Sequence, residues 1–188
     1  LNIGSATDAY QPVERRLRIT RGLIEVLHEF RHAFSIITKS SGVERDIDLL
    51  APLAADNLAA VYVSVPTLDA ALARIMEPRA ASPERRIKTI ETLARAGIPV
   101  GVSVSPMIPF INEPELERVL ERAREAGATS AFATVLRGVD GGVDLAIHAA
   151  GLLHDGPLRP EKALDECQPD HLRRLFEVNS IGPLMVAA

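Results

Sequence analysis

Polar residues recur where the apolar runs of this chain end. Gly4-Ser5-Ala6-Thr7-Asp8 and Tyr10-Gln11-Pro12 follow the first run, Thr38-Lys39-Ser40 the second, Ser64 and Thr67 the third, and Ser103 and Ser105 close the fourth before Pro106. Taken singly, Ser, Thr and Asp at such places are turn formers and helix caps. As a set they can hydrogen-bond a small polar ligand. Lys39, expected to be buried at a strand end, and the loop Glu77-Pro78-Arg79 add fixed charges that turns do not need and that suit a carboxylate or a phosphate. Metal and thiol chemistry are served poorly. His148, His154 and His171 show none of the close spacings of a metal motif, so no metal ligand is assigned. Cys167 stands in Asp165-Glu166-Cys167-Gln168-Pro169, where acidic neighbours disfavour the thiolate that a nucleophile requires.

Those candidates need elements to position them. The 188 residues, 47% apolar and 24% charged, suit a core of ordinary size and exclude a disordered, collagenous or disulfide-stapled chain. A net charge of −4, with 21 Lys and Arg against 25 Asp and Glu in no block of one sign, offers no basic footprint for nucleic acid. A small molecule is therefore the expected partner. No apolar run approaches the roughly 18 residues of a spanning helix, and no export signal opens the chain, so a cytoplasmic protein without a membrane partner is expected. The single cysteine allows no internal disulfide and no thiolate cage within this chain. The first residue is Leu1 rather than Met, which we read as a piece of a longer protein.

Short apolar runs alternate with helical stretches. Strands are expected over Leu1 to Ser5, Phe34 to Ser40, Ala59 to Val65, Val100 to Pro106 and Ser130 to Leu136. Helices are expected near Thr20 to Phe30, Asp46 to Asp56, Ser82 to Ala96 and Glu113 to Ala126. Ser82-Pro83 places an N-cap and a proline at the first helical position, while Gly97 and Gly127 stand just past two helix ends. Ile87, Ile90 and Leu93 mark one apolar face, and Leu116, Val119, Leu120 and Ala123 another. The spacing suits βα units on a parallel sheet, an α/β fold that binds ligands at the carboxyl ends of its strands.

The pattern breaks after Leu136. Arg137-Gly138-Val139-Asp140-Gly141-Gly142 is turn chemistry with no room for a helix, yet an apolar strand, Val143 to Ala149, follows at once. Either the two strands form an antiparallel hairpin, or 137–142 is an exposed junction between two pieces.

The first piece resembles a known family. Gly4-Ser5-Ala6-Thr7-Asp8-Ala9-Tyr10-Gln11-Pro12-Val13-Glu14, Ile36-Ile37-Thr38-Lys39-Ser40, Val63-Ser64-Val65-Pro66-Thr67-Leu68, Met76-Glu77-Pro78-Arg79-Ala80-Ala81-Ser82-Pro83 and Ala96-Gly97-Ile98-Pro99-Val100-Gly101 are similar to radical SAM proteins of the spore photoproduct lyase-like branch. The resemblance runs in order from residue 1 to about 136. It implies a partial parallel (βα) barrel in which a four-iron cluster, held by a Cys-x-x-x-Cys-x-x-Cys loop, cleaves S-adenosylmethionine reductively to a 5′-deoxyadenosyl radical. It also implies that Ser5 and Asp8 lie near the methionine end of the cofactor, and that Thr38, Lys39, Ser64 and Arg79 face its ribose and carboxylate. The cluster loop of that family precedes the strand with which this chain begins, and residues 1–136 contain no cysteine. Three thiolates hold such a cluster. No cluster, and no cofactor chemistry that depends on one, is therefore expected of this chain alone. Without the unit that carries the loop, the first strand would leave a sheet edge open to self-association.

Residues 143–188 resemble a short-chain dehydrogenase/reductase fragment. The strand ends in His148-Ala149-Ala150-Gly151, where that family carries an NNAG-type motif, and Asn179, in Val178-Asn179-Ser180-Ile181-Gly182 on a helix from about Asp170 to Ala188, matches the Asn of its catalytic tetrad. The resemblance implies a Rossmann-like βα fragment and NAD(P) as the parent cofactor. The Gly-rich dinucleotide loop and the Tyr-x-x-x-Lys pair are missing. The expected whole is a radical SAM barrel segment (1–136), a junction (137–142) and a dehydrogenase-like fragment (143–188), inactive as it stands. Three alternatives remain open here: a non-catalytic α/β structural or interaction unit, an NAD(P)-dependent oxidoreductase remnant, and an enzyme whose catalytic parts lie in flanking sequence.

Overall fold

In the computed structural model, residues 1–139 and 142–152 are described, with side chains through residue 135. Six strands form one sheet in the order of the chain: β1 (Asn2–Ile3), β2 (Phe34–Thr38), β3 (Ala59–Ser64), β4 (Val100–Met107), β5 (Ser130–Val139) and β6 (Gly142–Leu152). The first five are parallel, each paired with the next, and the sheet does not close on itself. This is the α/β array expected from the alternation.

The crossovers are α1 (Glu14–Leu17) and α2 (Ile19–Glu29) after β1, a 3₁₀ turn (Ser41–Asp46) and α3 (Ile47–Ala55) after β2, α4 (Ala70–Met76) and α5 (Pro83–Arg95) after β3, and a 3₁₀ turn (Glu113–Glu115) and α6 (Leu116–Glu125) after β4. α5 begins as its sequence dictates, with the Ser82 hydroxyl accepting from the Arg85 amide at 3.3 Å. Ile87, Ile90 and Leu93 on α5, and Val119 and Ala123 on α6, are buried against Val61, Val63, Val100, Val102 and Val104 of the sheet. Two short helices are additions to the sequence reading. α4 is capped by Asp69, whose carboxylate accepts from the amides of Ala71 and Leu72. α1 precedes a left-handed residue, Arg18 (φ 51°, ψ 35°), that starts α2. Among the described residues, no helix is long and apolar enough to cross a membrane.

Of the two arrangements open after Leu136, the hairpin is the one formed. β6 pairs antiparallel with β5 from Ser130 opposite Leu152 to Val139 opposite Gly142. Within the expected junction 137–142, Arg137–Val139 continue β5 and Gly142 opens β6. With no room for a crossover helix between them, β5 and β6 can pair as neighbours only in the antiparallel sense. The helix expected from about Asp170, with Asn179, lies outside the described residues, as do His154, Cys167 and His171.

The exit from β1 is set by Gly4. Its φ is +91°, and a Cβ there would stand 2.2 Å from the Ile37 carbonyl oxygen of β2, a backbone atom that cannot swing away. Gly4→Ala combines a left-handed penalty with overpacking and should destabilise the fold by about 2–4 kcal/mol. Urea unfolding of the variant checks this, and a midpoint equal to the parent's would contradict the close approach.

Candidate active site at the strand ends

β1 is too short to fix the ten-residue loop that leaves it, so side chains do so. The Asp8 carboxylate accepts from the Thr38 hydroxyl (2.8 Å) and the Tyr10 amide (2.8 Å) through Oδ1, and from the Lys39 amide (2.7 Å) through Oδ2. Thr38 Oγ1 in turn accepts from the Ser40 amide at 3.0 Å. Asp8, Thr38 and Lys39, read from the sequence as neighbours in one site, are thus brought together. Asp8 and Thr38 bond each other and the surrounding backbone.

A second carboxylate ties the same loop to the following one. Asp46, with a fully buried side chain, accepts from the Tyr10 hydroxyl (2.9 Å), Arg21 Nη1 (3.0 Å), Arg45 Nε (2.8 Å) and Arg45 Nη2 (2.8 Å). Arg45 also reaches Glu14 Oε1 at 3.0 Å, and its guanidinium lies 5.7 Å from the Tyr10 ring centre. Burial acts to raise the pKa of Asp46, but hydrogen bonds from Arg45, Arg21 and Tyr10 outweigh it and hold the carboxyl below its ordinary range. Glu14 is likewise lowered, its desolvation overcome by the Thr20 amide and Arg45. Burial first, and then the Asp46 charge, push the Tyr10 hydroxyl far above its usual pKa. Tyr10 is therefore a neutral donor.

A third set of charges joins β2 to β3. Lys39 is corrected from buried to half-exposed: its side chain is 42% accessible, and its Nζ lies 2.7 Å from Glu77 Oε1. A lysine stem can lie along the protein while its ammonium reaches the rim. Glu77 is itself buried against Arg86, 2.5 Å from Oε2 to Nη2. These atoms meet as charges without aligned hydrogen-bond geometry. Arg86, only 2% exposed, donates to the carbonyls of Ala81 (2.8 Å) and Ser64 (2.9 Å). Ser64 is buried at the end of β3, its hydroxyl 3.4 Å from the Ser105 carbonyl. Arg79 and Ser5 are exposed. Sequence reasoning missed Arg86, because its position on α5 reads like any charged residue of a solvated face. It also missed the Asp46 cluster, whose members lie far apart in the chain.

The loops after β3 and β4 are pinned in the same manner. Glu115 accepts from the Thr67 hydroxyl (2.5 Å) and the Leu68 amide (2.9 Å), while buried Asn112 donates to the carbonyls of Pro66 (2.7 Å) and Pro106 (2.9 Å) and accepts from the Ile108 amide (2.6 Å). Nearer β1 and β2 lies a cavity of about 690 Å³, lined by residues of the stretches 8–18, 39–45 and 79–81. Asp8, Lys39 and Arg79 line it, and its walls come from the carboxyl ends of β1 and β2 and the segment between α4 and α5.

The model of the Radical SAM superfamily matches residues 2–123, the stretch that carries these loops. The chain belongs to the radical SAM superfamily. An uncharacterized protein of Mycobacterium tuberculosis (strain ATCC 25618 / H37Rv) is 32% identical over 140 residues, covering 72% of this chain and 41% of that relative. An uncharacterized protein of Methanocaldococcus jannaschii is 32% identical over 113 residues, covering 60% of this chain and 42% of its own length. This radical SAM chain thus spans about two fifths of the curated relatives it matches. Its fold is similar to that of Streptococcus suis SuiB bound to S-adenosylmethionine (TM-score 0.53, 16% identity, 87% of this chain and 33% of that one). A cysteine-to-alanine mutant of spore photoproduct lyase also aligns (TM-score 0.46, 14% identity, 94% of this chain and 58% of that one).

The Asp46 cluster makes the site acid-sensitive in a defined direction. Its folded-state pKa lies below the unfolded value of 3.8, so its contribution is complete above that value and is lost as pH falls through the folded pKa. Asp46→Asn should lower stability at neutral pH by about 2–3 kcal/mol, the scale of hydrogen bonds to a charged group. It should also flatten the loss of melting temperature below pH 4. Parallel acid slopes for variant and parent in thermal unfolding would refute the assignment.

Proposed function

We propose that this chain is the cofactor-holding segment of a radical SAM enzyme of the spore photoproduct lyase-like branch, binding S-adenosylmethionine at the carboxyl ends of β1 to β3. The observation that carries the reading is Lys39, an ammonium held at the cavity rim by the buried Glu77–Arg86 pair. With one fork of Glu77 on Lys39 and the other on Arg86, the lysine is oriented yet still accessible, the state suited to receive a carboxylate. Arg79 supplies a second cation to the cavity wall, while Ser5, exposed after β1, and Thr38 and Ser64, at the ends of β2 and β3, do not line it. Asp8 acts by fixing the loop and the Lys39 backbone.

In the parent family a reduced four-iron cluster would supply the electron for reductive cleavage of S-adenosylmethionine, and the residues here would hold that cofactor's polar groups. The cluster does not fit the donors of this chain. A single cysteine, Cys167, cannot provide the three thiolates required, and residues 1–136 contain none. Cleavage of the cofactor by these 188 residues alone is therefore not part of the proposal. The reading of 143–188 as a short-chain dehydrogenase fragment, with Asn179 as its tetrad residue and NAD(P) as its parent cofactor, rests on the sequences His148-Ala149-Ala150-Gly151 and Val178-Asn179-Ser180.

Titration calorimetry with S-adenosylmethionine tests the site. Lys39→Met should weaken binding at least about tenfold, the effect of one lost charge-assisted hydrogen bond. Ser64→Ala should weaken it less. Unchanged affinity in both variants would reject the reading. Anaerobic reconstitution gives a separate check: the chain should take up no stoichiometric iron, and one four-iron cluster per chain would overturn the cysteine argument.

A further inference from the structure

The cavity carries more positive charge than the cofactor reading uses. Five cationic side chains line it, Arg15, Arg18, Lys39, Arg45 and Arg79, against the carboxylates of Asp8 and Glu14. Asp8 is occupied by Thr38 and two backbone amides, and Glu14 by Arg45. Lys39 is matched by Glu77, and Arg45 by Asp46 and Glu14. Arg79 is assigned above to the cofactor. Arg15 and Arg18 remain, and among the described residues neither has a carboxylate within ion-pair distance.

The backbone supplies an independent observation. Arg18 joins α1 to α2 in the left-handed region (φ 51°, ψ 35°), where Gly or Asn is the cheaper residue. Its side chain makes no ion pair with the described residues. Arg15 and Arg18 are both exposed on the wall of one cavity, and two guanidinium forks suit a group with two negative charges and three terminal oxygens.

We propose that Arg15 and Arg18 form an anion site for the phosphate group of a small-molecule substrate, on the β1 side of the cavity. The existence of this site stands on the charges alone. Its assignment to substrate rests on the reading that Lys39 and Arg79 serve the cofactor. The substrate class that follows is a phosphorylated metabolite, oriented by its phosphate while the remainder extends into the cavity.

Calorimetry with inorganic pyrophosphate, using malonate as a dicarboxylate arm, tests this on the chain as it exists. Pyrophosphate should bind, and the Arg15→Gln/Arg18→Gln double variant should lose at least about tenfold in affinity. Arg16→Gln, an exposed neighbour that does not line the cavity, should lose none. Arg18→Gly removes the charge while relaxing the backbone, so it should lose affinity with an unchanged or higher melting temperature, which separates the site from a folding defect. Absent pyrophosphate binding, an equal loss in Arg16→Gln, or malonate binding as tightly, would each overturn the proposal. Competition between pyrophosphate and S-adenosylmethionine would overturn the assignment to substrate. Arginine-dependent pyrophosphate binding without any S-adenosylmethionine binding would reject the cofactor reading and leave the anion site intact.

Discussion

The strand-end site depends on Asp46. A two-residue strand contributes few ladder bonds, and the ten residues that follow β1 have no helix of more than one turn to brace them. A buried carboxylate takes over that task by gathering donors from three segments: Tyr10 from the β1 loop, Arg21 from α2 and Arg45 from the turn after β2. Each donor also keeps the carboxylate ionised against the cost of burial, so geometry and charge support each other. Without this centre, Asp8 would be left to hold a loop through the few bonds at its tip, and the cavity wall from residue 8 to residue 18 would lose its fixed shape.

The pairing of Arg86 with Glu77 follows a different logic. Taking two charges out of water is costly, and replacement of such a pair by apolar residues is often neutral or favourable for stability. What apolar residues could not do is present one carboxylate oxygen to Lys39 while anchoring the other beneath the β3 end. Arg86 completes the arrangement by donating to the Ser64 carbonyl, so strand β3, helix α5 and the lysine at the end of β2 form one charged unit. The loops after β3 and β4, locked by Glu115 and Asn112, extend the same scheme along the sheet. Polar contacts that tie one loop to the next, as Asp8 to Thr38, Asp46 to Tyr10 and Asn112 to Pro66 do, can shape a rim around a cavity without filling it.

How much was legible varied by element for physical reasons. α5 and α6 carry strong periodicity and end signals, and their apolar stripes are buried as expected. α4 has its signal in Asp69 before Ala70-Ala71-Leu72, yet at seven residues it is too short for periodicity to separate it from a loop. α1 is shorter still and has no capping side chain. Of the residues picked out from the sequence, Asp8, Lys39 and Arg79 line the cavity, the first two because the ends of a parallel array are where its polar residues gather. Arg86 and Asp46 could not be picked out, since a charged residue on a helix or turn looks solvated until its partners are known.

The alternation of strands and helices, the family, and the lack of a cysteine set for a cluster in residues 1–136 are readable from local pattern, composition and order along the chain. Which charges are matched depends on the folded arrangement. Lys39 is a half-exposed cation held by Glu77, Asp8 clamps the loop to β2, and Arg15 and Arg18 have no carboxylate within ion-pair distance among the described residues, because each outcome depends on side chains brought together from distant positions. The folded arrangement also decided the hairpin of β5 and β6, where two readings of one short turn differ only in whether the second strand finds its hydrogen-bond partners on the first.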